Sequence, residues 1–211
     1  MKNGHISSSV IKRLPRYYRF LGHLKKQGVL RISSSELAEK MRLTASQIRQ
    51  DLNRFGGFGQ QGYGYNIELL YEQIGEILGI NSDIEAIMLG VGKLGVVVAE
   101  NMDFKKLGFT LVGAFDIDQN VVGKTVAGLK VNHTDCLEEF CKEHKPKAAF
   151  LCVPSLAAEE LCKRLVPLGI KGFWNFSHYD IKSQHPDAEV ENVHFSDALM
   201  CLSYKIKNTD K

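Results

Sequence analysis

Three glycines, Gly90, Gly92 and Gly95, occur at a spacing that could hold a phosphate group. An apolar run that predicts a buried strand precedes them, and a helical pattern follows them. In such a strand–turn–helix the first glycine makes the turn, the second lets the backbone approach a pyrophosphate, and the third lets the helix pack on the strand. The pyrophosphate would lie at the helix N-terminus, beside Lys93 and Leu94. The segment therefore predicts a dinucleotide-binding turn.

A second strand pattern ends in Asp116, twenty-one residues beyond Gly95. An acid at this position accepts hydrogen bonds from the ribose hydroxyls of an adenosine and repels a 2′-phosphate. The next five residues contain no Arg or Lys, so the sequence favours NAD(H) over NADP(H). A methyltransferase or a CoA-binding protein could use similar glycines, and both alternatives stay open.

Strands and helices continue to alternate to about residue 177, which predicts one doubly wound parallel sheet of the Rossmann type. The ligand of such a sheet crosses the carboxyl ends of the strands, where Val153, Pro154, Asn175 and Phe176 fall. We find no substrate lobe, no poised acid–base pair and no cluster of metal ligands, so we expect neither catalytic nor metal-binding residues. The alternative is an NAD-dependent oxidoreductase with an appended basic domain.

The charges are divided unevenly along the chain. Through Tyr65 there are twelve Lys or Arg against three acids, and thereafter fifteen against twenty-one, so balances of +9 and −6 give the net charge of +3. A basic N-terminal part beside an acidic remainder indicates that the first part faces nucleic acid. A basic face without a partner is the alternative.

The basic part has the pattern of a helix-turn-helix. Residues 10–27 repeat apolar side chains at helical spacing, and Lys12, Arg13 and Arg16 fall on other faces. Capping boxes at 33–36 and 44–47 then predict two short helices joined by a tight turn. The second helix would enter the major groove of double-stranded DNA.

The residues expected to contact DNA lie on that second helix and on the segment after it. Ile48, Leu52 and Phe55 should pack inward, and a solvated interaction helix is the alternative to a recognition helix. Gln can pair with adenine and Arg with guanine. Glycines and aromatics at 56–65 predict a β-hairpin wing, followed by a connecting helix at 67–78. The expected contacts are Ser46, Gln47, Arg49, Gln50 and Asn53 on the helix, and Gln60, Gln61 and Tyr63 on the wing.

The domains predicted from these patterns are residues 1–80, 81–192 and 193–211. The last contains an amphipathic helix, Phe195–Lys207, too short to be stable without a surface to pack on. That surface is either a partner subunit or the chain's own sheet. The five cysteines form no CxxC pair, and the chain has no apolar run fit for a membrane or a secretory signal. We expect reduced thiols and a cytoplasmic protein.

The whole sequence resembles the Rex family of redox-sensing repressors. Motifs in both parts carry the resemblance: Arg13-Leu14-Pro15, Tyr17-Tyr18-Arg19, Arg49-x-Asp51-Leu52 with Phe55-Gly56, Gly62-x-Gly64-Tyr65, the glycine turn, Phe115-Asp116-x-Asp118, and Gly169-Ile170-Lys171-Gly172 with Asn175-Phe176. The resemblance implies a homodimer of winged-helix and Rossmann domains that exchanges its C-terminal helices. It also implies release from a palindromic operator by NADH, with Phe195 near the nicotinamide.

The sequence departs from the family pattern at the positions that couple ligand to DNA. Arg19 matches an arginine that in better-known members pairs with an aspartate, but the aspartate position here is His194. The tyrosine that exchanges partners with that aspartate is here Asn101. Gln50, Gln60 and Gln61 replace basic residues of the DNA-binding surface, which implies a different operator preference. Our hypothesis is a divergent member whose NADH/NAD⁺ preference is weakened or reversed.

Overall fold

The computed structural model describes residues 7–54, 59–60 and 63–209. The chain forms two compact units, and the division falls between Asn81 and Ser82. The C-terminal residues 193–211, which we separated on sequence grounds, group with the second unit.

The first unit is a helical domain with a small antiparallel sheet. Its elements are α1 (Ser8–Ile11), α2 (Leu14–Lys26), β1 (Arg31–Ile32), α3 (Ser34–Met41), α4 (Ala45–Asn53), β2 (Gly59–Gln60), β3 (Gly64–Asn66) and α5 (Ile67–Ile77). The sheet has the order β1-β3-β2. The short helices α3 and α4 and the β2–β3 pair form a winged helix-turn-helix, as predicted.

The single helix predicted over residues 10–27 is in fact two, α1 and α2. The reason is Pro15, which has no N–H to donate to the carbonyl of Ile11 and whose ring clashes with that carbonyl. The apolar side chains expected on the inner face are buried nonetheless: Val10, Leu14, Tyr17, Leu21 and Leu24. The periodicity therefore located the core correctly but not the break in the helix.

The two predicted capping boxes form to different extents. At α3 the Ser33 hydroxyl accepts from the Glu36 N–H, and the Glu36 carboxylate accepts from the Ser33 N–H. At α4 the Thr44 hydroxyl accepts from the Gln47 N–H, but the Gln47 side chain bonds to Asp51 instead of reaching back. The second capping box is therefore only half formed.

The wing strands β2 and β3 are joined to the rest of the first unit through β1, a strand that the sequence patterns missed. Gly59 and Gln60 pair with Tyr65 and Gly64, and β3 also pairs with Arg31 and Ile32. Gly64 has φ of +69°, and a Cβ atom there would lie 2.6 Å from the Ile32 carbonyl oxygen. A glycine is therefore required where the wing meets β1.

The second unit is a doubly wound α/β domain. Its elements are β4 (Ile84–Leu89), α6 (Lys93–Asn101), β5 (Phe109–Asp116), β6 (Thr125–Val126), β7 (Leu129–His133), α7 (Leu137–His144), β8 (Ala148–Leu151), α8 (Ser155–Leu165), β9 (Gly172–Asn175), α9 (Ile181–Gln184), β10 (Glu189–Asn192) and α10 (Phe195–Lys207). Short 3₁₀ turns lie at Lys105–Leu107, Thr134–Cys136 and Val166–Leu168.

The sheet of the second unit has the strand order β10-β9-β8-β4-β5-β7-β6. All neighbouring strands are parallel except β6, which pairs antiparallel with β7. Counted along the chain, the six parallel strands therefore have the order 3-2-1-4-5-6 typical of a Rossmann fold. The order reverses between β4 and β8, and a ligand crevice is expected at that point.

Helix α10 begins and ends where the sequence predicted. Every residue from 195 to 207 is exposed, and the large apolar side chains are 52–72% exposed: Phe195, Leu199, Met200, Leu202, Tyr204 and Ile206. In the described part of the chain no helix is long and apolar enough to cross a membrane.

Candidate dinucleotide site and DNA interface

The three glycines of the β4–α6 turn occupy three different environments. At Gly90 (φ +86°) a Cβ atom would lie 2.4 Å from the Cys152 carbonyl oxygen, and at Gly95 it would lie 2.0 Å from the Gly90 carbonyl oxygen. At Gly92 nothing lies within 4 Å of that position. Gly90 and Gly95 are thus required by packing, whereas Gly92 leaves open space before the N-terminus of α6. A pyrophosphate fits that space because it needs close approach to backbone N–H groups.

Asp116, at the end of β5, braces this turn. Its Oδ2 accepts a hydrogen bond from the Val91 N–H at 2.6 Å, and its Oδ1 accepts from the Asp118 N–H at 2.9 Å. Each carboxylate oxygen has a further lone pair that can accept from a ribose hydroxyl. Asp116 therefore fixes the shape of the turn and also offers the contact predicted from the sequence.

A cavity of about 340 Å³ opens at the carboxyl ends of β4, β5 and β8, where the strand order reverses. Gly90, Gly92, Asp116, Val153 and Pro154 all line it, so the structure brings five of the predicted residues together. Cys152 lies in the same wall, and burial raises the pKa of its thiol to about 12. The cavity therefore contains a neutral thiol, not a thiolate, beside the space for the pyrophosphate.

Six other predicted residues do not line this cavity: Lys93, Leu94, Gly95, Asn175, Phe176 and Phe195. Lys93 is exposed and Leu94 half-buried in the first turn of α6. Phe195 begins α10 and lies beside Phe176, with ring centroids 6.2 Å apart. Asn175 is fully buried.

The Asn175 side chain has a structural role. Its amide nitrogen donates to the Tyr179 carbonyl and to Asn192 Oδ1, and its Oδ1 accepts from the N–H and the hydroxyl of Ser177. All four of its hydrogen-bonding positions are thereby occupied. Asn175 positions the edge of the sheet and leaves no side-chain group for a ligand.

The sequence patterns missed two further residues of the cavity wall. Ile117, 70% exposed, follows Asp116, and Arg164 of α8 also lines the cavity. The Arg164 guanidinium donates to Glu138 at 2.6 and 2.8 Å and to the Thr134 carbonyl at 2.6 Å. These residues come from separate segments, so only the fold could reveal them.

In the first unit, four hydrogen bonds meet on one buried carboxylate. Asp51 of α4, 1% exposed, accepts from Arg13 at 2.7 and 2.7 Å, from the Tyr17 hydroxyl at 2.9 Å and from Gln47 at 2.8 Å. Arg13 and Gln47, both predicted to contact DNA, are therefore engaged inside the domain. Asp51 lies three residues after the buried Ile48 and thus on the apolar face of α4. An acid on such a face needs a partner when buried, and this was the sequence signal for its ion pair with Arg13.

Most of the other predicted DNA contacts are exposed. Arg49 donates to the Ser34 hydroxyl at 3.0 Å, Arg16 donates to the Met41 carbonyl, and Tyr63 is 69% exposed. Lys12, Arg16, Ser46, Arg49, Gln50 and Asn53 all have exposed side chains. Gln60 lies in β2, whereas Phe55 and Gln61 fall outside the described residues.

The three residues predicted to form the switch lie in both units. Arg19 is exposed on α2, and Asn101 ends α6, where its side-chain amide donates to the Val97 carbonyl. His194 precedes α10, with its Nε2 3.2 Å from the Ser177 carbonyl oxygen and its ring 5.0 Å from that of His178. The assignment of Arg19, Asn101 and His194 to the switch stays a prediction. Within the described residues, no three His, Cys, Asp or Glu side chains are arranged to hold a metal ion.

Two family descriptions match the two units separately. Residues 5–53 match a putative DNA-binding protein N-terminus, and residues 81–179 match a CoA binding domain. These matches agree with a DNA-binding unit followed by a nucleotide-binding unit.

Matches over the full length are more specific. The redox-sensing transcriptional repressor Rex of Caldicellulosiruptor bescii is 49% identical over 97% of this chain and 94% of its own length. This chain belongs to the Rex family. The crystal structure of RSP in complex with β-NAD⁺ and operator DNA is 46% identical, with a TM-score of 0.91 over 99% of this chain and 95% of that one. RSP in complex with β-NADH is 43% identical, with a TM-score of 0.90 over 99% and 97%.

Membership of the Rex family confirms the predicted architecture of a DNA-binding domain joined to a Rossmann-type domain. It also confirms the prediction of a regulator and not an enzyme, because the relatives are named as transcriptional repressors. These names favour the regulator over the alternative of an oxidoreductase with an appended basic domain.

Proposed function

We propose that this Rex-family chain represses transcription by binding operator DNA through its first unit, and that NAD(H) bound to its second unit changes the operator affinity. The observation that carries the proposal is the β4–α6 turn, with open space at Gly92 and the Asp116 carboxylate braced behind it. A winged helix-turn-helix precedes this turn in the same chain. Operator DNA and the NAD(H) pool are both cytoplasmic, so we expect the protein to act there.

The site favours NAD(H) over the other nucleotides considered. The pyrophosphate would lie against Gly92 and the first N–H groups of α6, with the adenosine ribose on Asp116 and the exposed Ile117 beside the base. A 2′-phosphate, as in NADP(H), or a 3′-phosphate, as in CoA, would place a dianion against the Asp116 carboxylate. The nicotinamide supplies the redox signal, while the residues of this chain bind and orient the dinucleotide.

Binding of the full-length protein to four nucleotides tests this proposal. We expect NADH and NAD⁺ to bind and to raise the melting temperature, and NADPH and CoA to bind at least tenfold more weakly. Asp116→Ala should narrow that difference because it removes the repelling charge. Equal affinity for NADH and CoA would contradict the assignment.

The DNA half of the proposal rests on exposed side chains of α4 and the basic residues of α1 and α2. Selection of duplexes from a random library by the full-length protein should enrich one palindromic sequence. Exposed Gln50, where the family pattern has a basic residue, should contribute to a preference different from that of other members. Failure to enrich any sequence would refute the DNA-binding role.

We further propose that the protein is a homodimer whose second copy covers α10. A thirteen-residue helix with six exposed large apolar side chains needs a surface to pack on. Leu199→Asp with Leu202→Asp should produce monomers in light scattering and abolish operator binding. Cys201→Asp, on the opposite face of the helix, is the matched control. A double variant that stays dimeric would argue against this role of α10.

The difference in operator affinity between the NAD⁺ and NADH complexes is expected to depend on His194. An Arg19–carboxylate ion pair cannot form with an imidazole, so we expect the operator affinity to differ little between the NAD⁺ and NADH complexes. His194→Asp should increase that difference at least tenfold. His178→Asp is the control, because it adds the same charge at the residue whose ring lies 5.0 Å from that of His194. A large, NADH-specific release by the unmodified protein would refute the divergence hypothesis.

A further inference from the structure

The recognition helix α4 carries an internal acid whose hydrogen bonds are fully used. The four bonds to Asp51 come from two helices. Arg13, the N-cap of α2, donates two, and Tyr17 of α2 donates one. Gln47, one turn before Asp51 in α4 itself, donates the fourth. A carboxylate accepts about four hydrogen bonds, so this set saturates it. Asp51 thus connects α2 to the side of α4 from which Gln47 projects.

The chemistry of this cluster fixes the orientation of the Gln47 amide. Burial raises the pKa of Asp51, but the hydrogen bonds from Arg13, Tyr17 and Gln47 together outweigh it and lower that pKa below its ordinary value of 3.8. The side chain is therefore a carboxylate at neutral pH and can only accept. Gln47 must turn its Nε2 toward Asp51, so its Oε1 points away from the acid, and no described residue donates a hydrogen bond to that oxygen.

Gln47 is also placed where recognition helices read bases. It is the third residue after the Thr44 cap, and its side chain is only half-buried. N-terminal residues of a recognition helix contact base edges in the major groove. Arg13 and Tyr17 alone already supply three bonds to Asp51, so the fourth bond constrains Gln47 more than it serves the acid.

We propose that Asp51 is a positioning residue that sets the base preference of Gln47, presenting its carbonyl oxygen to a base that bears an exocyclic amino group. Adenine N6 and cytosine N4 carry such groups in the major groove, whereas guanine and thymine present oxygen acceptors there. The inference rests on the proposed DNA-binding function and extends it to one side chain and one class of base contact.

The test uses the full-length protein and the duplex that it selects from a random-sequence library. Affinities are measured for all single base-pair variants at one salt concentration, and for the selected duplex also at several salt concentrations. We expect a preference of about tenfold for adenine or cytosine at one position of each half-site. Gln47→Met should reduce it to within about twofold at that position only, without changing the salt dependence, because no charge is altered. Gln27→Met, at an exposed glutamine that ends α2 and that we do not expect to contact DNA, is the matched control and should leave this preference intact.

Asp51→Asn provides the second arm. An amide can donate or accept, so Gln47 is no longer held in one orientation, and the preference at the same position should fall although Gln47 is present. A purely structural role would lower the affinity for all duplexes equally. Because Asp51→Asn can also impair folding, the unmodified protein is tested on a duplex in which hydrogen replaces the exocyclic amino group. We expect about a tenfold loss, absent in Gln47→Met.

Three outcomes would overturn the inference. Unchanged preferences in Gln47→Met would mean that Gln47 reads no base. A folded Asp51→Asn that keeps the full preference would mean that Asp51 does not orient it. An equal loss from amino-group removal in the unmodified protein and in Gln47→Met would assign that base to another residue. If the unmodified protein enriches no sequence, the proposed function itself fails before any variant is made.

Discussion

Gly92 allows the dinucleotide site to be tested without disturbing the fold. The backbone there is extended, with φ of −73° and ψ of −165°, and the position of a Cβ atom is open. A valine can therefore be placed there at the cost of about 1 kcal/mol or less in the free energy of unfolding. Its side chain would fill the space that a pyrophosphate needs.

The expected loss of affinity follows from the hydrogen bonds that the pyrophosphate would make at the N-terminus of α6. Each hydrogen bond to a charged acceptor contributes about 1.5 to 3 kcal/mol. Loss of two corresponds to about 3 kcal/mol or more, or about a hundredfold in Kd. Gly92→Val should therefore bind NADH about a hundredfold more weakly and show no ligand-induced change in operator affinity.

Substitutions at two other glycines of the same unit serve as controls for the effects of Gly92→Val on stability and on NADH affinity. At Gly95 a Cβ atom would lie 2.0 Å from the Gly90 carbonyl oxygen, so Gly95→Ala must displace the turn and should lose about 1 to 3 kcal/mol of stability or more. At Gly172 the nearest atom is 3.9 Å away, so Gly172→Ala should change neither property.

Thermal unfolding without ligand and NADH titration by calorimetry separate these cases. The reasoning is refuted if Gly92→Val binds NADH as tightly as the unmodified protein. It is also refuted if Gly92→Val is as unstable as Gly95→Ala.

Three further predictions follow from the same contacts. Asp116→Asn should bring the Kd values for NADPH and NADH closer by at least tenfold, which titration with both measures, because it removes the charge that repels a 2′-phosphate. Arg13→Met leaves Asp51 buried without its ion partner and should lower the free energy of unfolding by about 3 to 5 kcal/mol at pH 7, against almost nothing for the exposed Lys12→Met. The folded-state pKa of Asp51 is lowered, so the stability that this carboxylate contributes is present above its ordinary pKa of 3.8 and is lost as the pH falls through the folded-state pKa. The denaturation curves of Arg13→Met and of the unmodified protein should therefore converge in acid. Burial raises the pKa of the Cys162 thiol to about 12, so the stability it contributes is present below the ordinary value of 9.0 and is lost as the pH rises toward 12; chemical denaturation of Cys162→Ala should show a weaker alkaline dependence.

The periodic and glycine-containing segments were predictable because one local rule decides each of them. The bounds of α10 follow from its apolar repeat, and the different needs of Gly90, Gly92 and Gly95 follow from strand–turn–helix geometry. Strands β8 and β9, of four residues each, were predictable because each forms part of an apolar run. Strands β1 and β6 were missed because they contain only two residues, and β7 and β10 because charged and polar side chains interrupt them.

The roles of individual polar side chains were less predictable because their partners lie far away in the sequence. Arg13 has the residue type of a phosphate contact, yet a carboxylate thirty-eight residues later binds it. Asn175 has the residue type of a ligand contact, yet its neighbours in a turn and in β10 use every hydrogen-bonding atom. In both cases a buried polar group must be satisfied, and the fold determines which partner satisfies it.

The same rule connects the ligand edge of the sheet to α10. The buried Asn175 binds Asn192 of β10, and its carbonyl accepts from the Val193 N–H at 2.8 Å. His194, the next residue, has its Nε2 3.2 Å from the Ser177 carbonyl oxygen. The N–H of Ser177 in turn donates to Asn175 Oδ1. A ligand that moves the 175–177 turn must therefore move the start of α10, because neither side can shift without leaving buried polar groups unpaired. Amide hydrogen exchange at residues 193–199 should slow on NADH binding, and unchanged exchange there would separate the ligand edge from the helix.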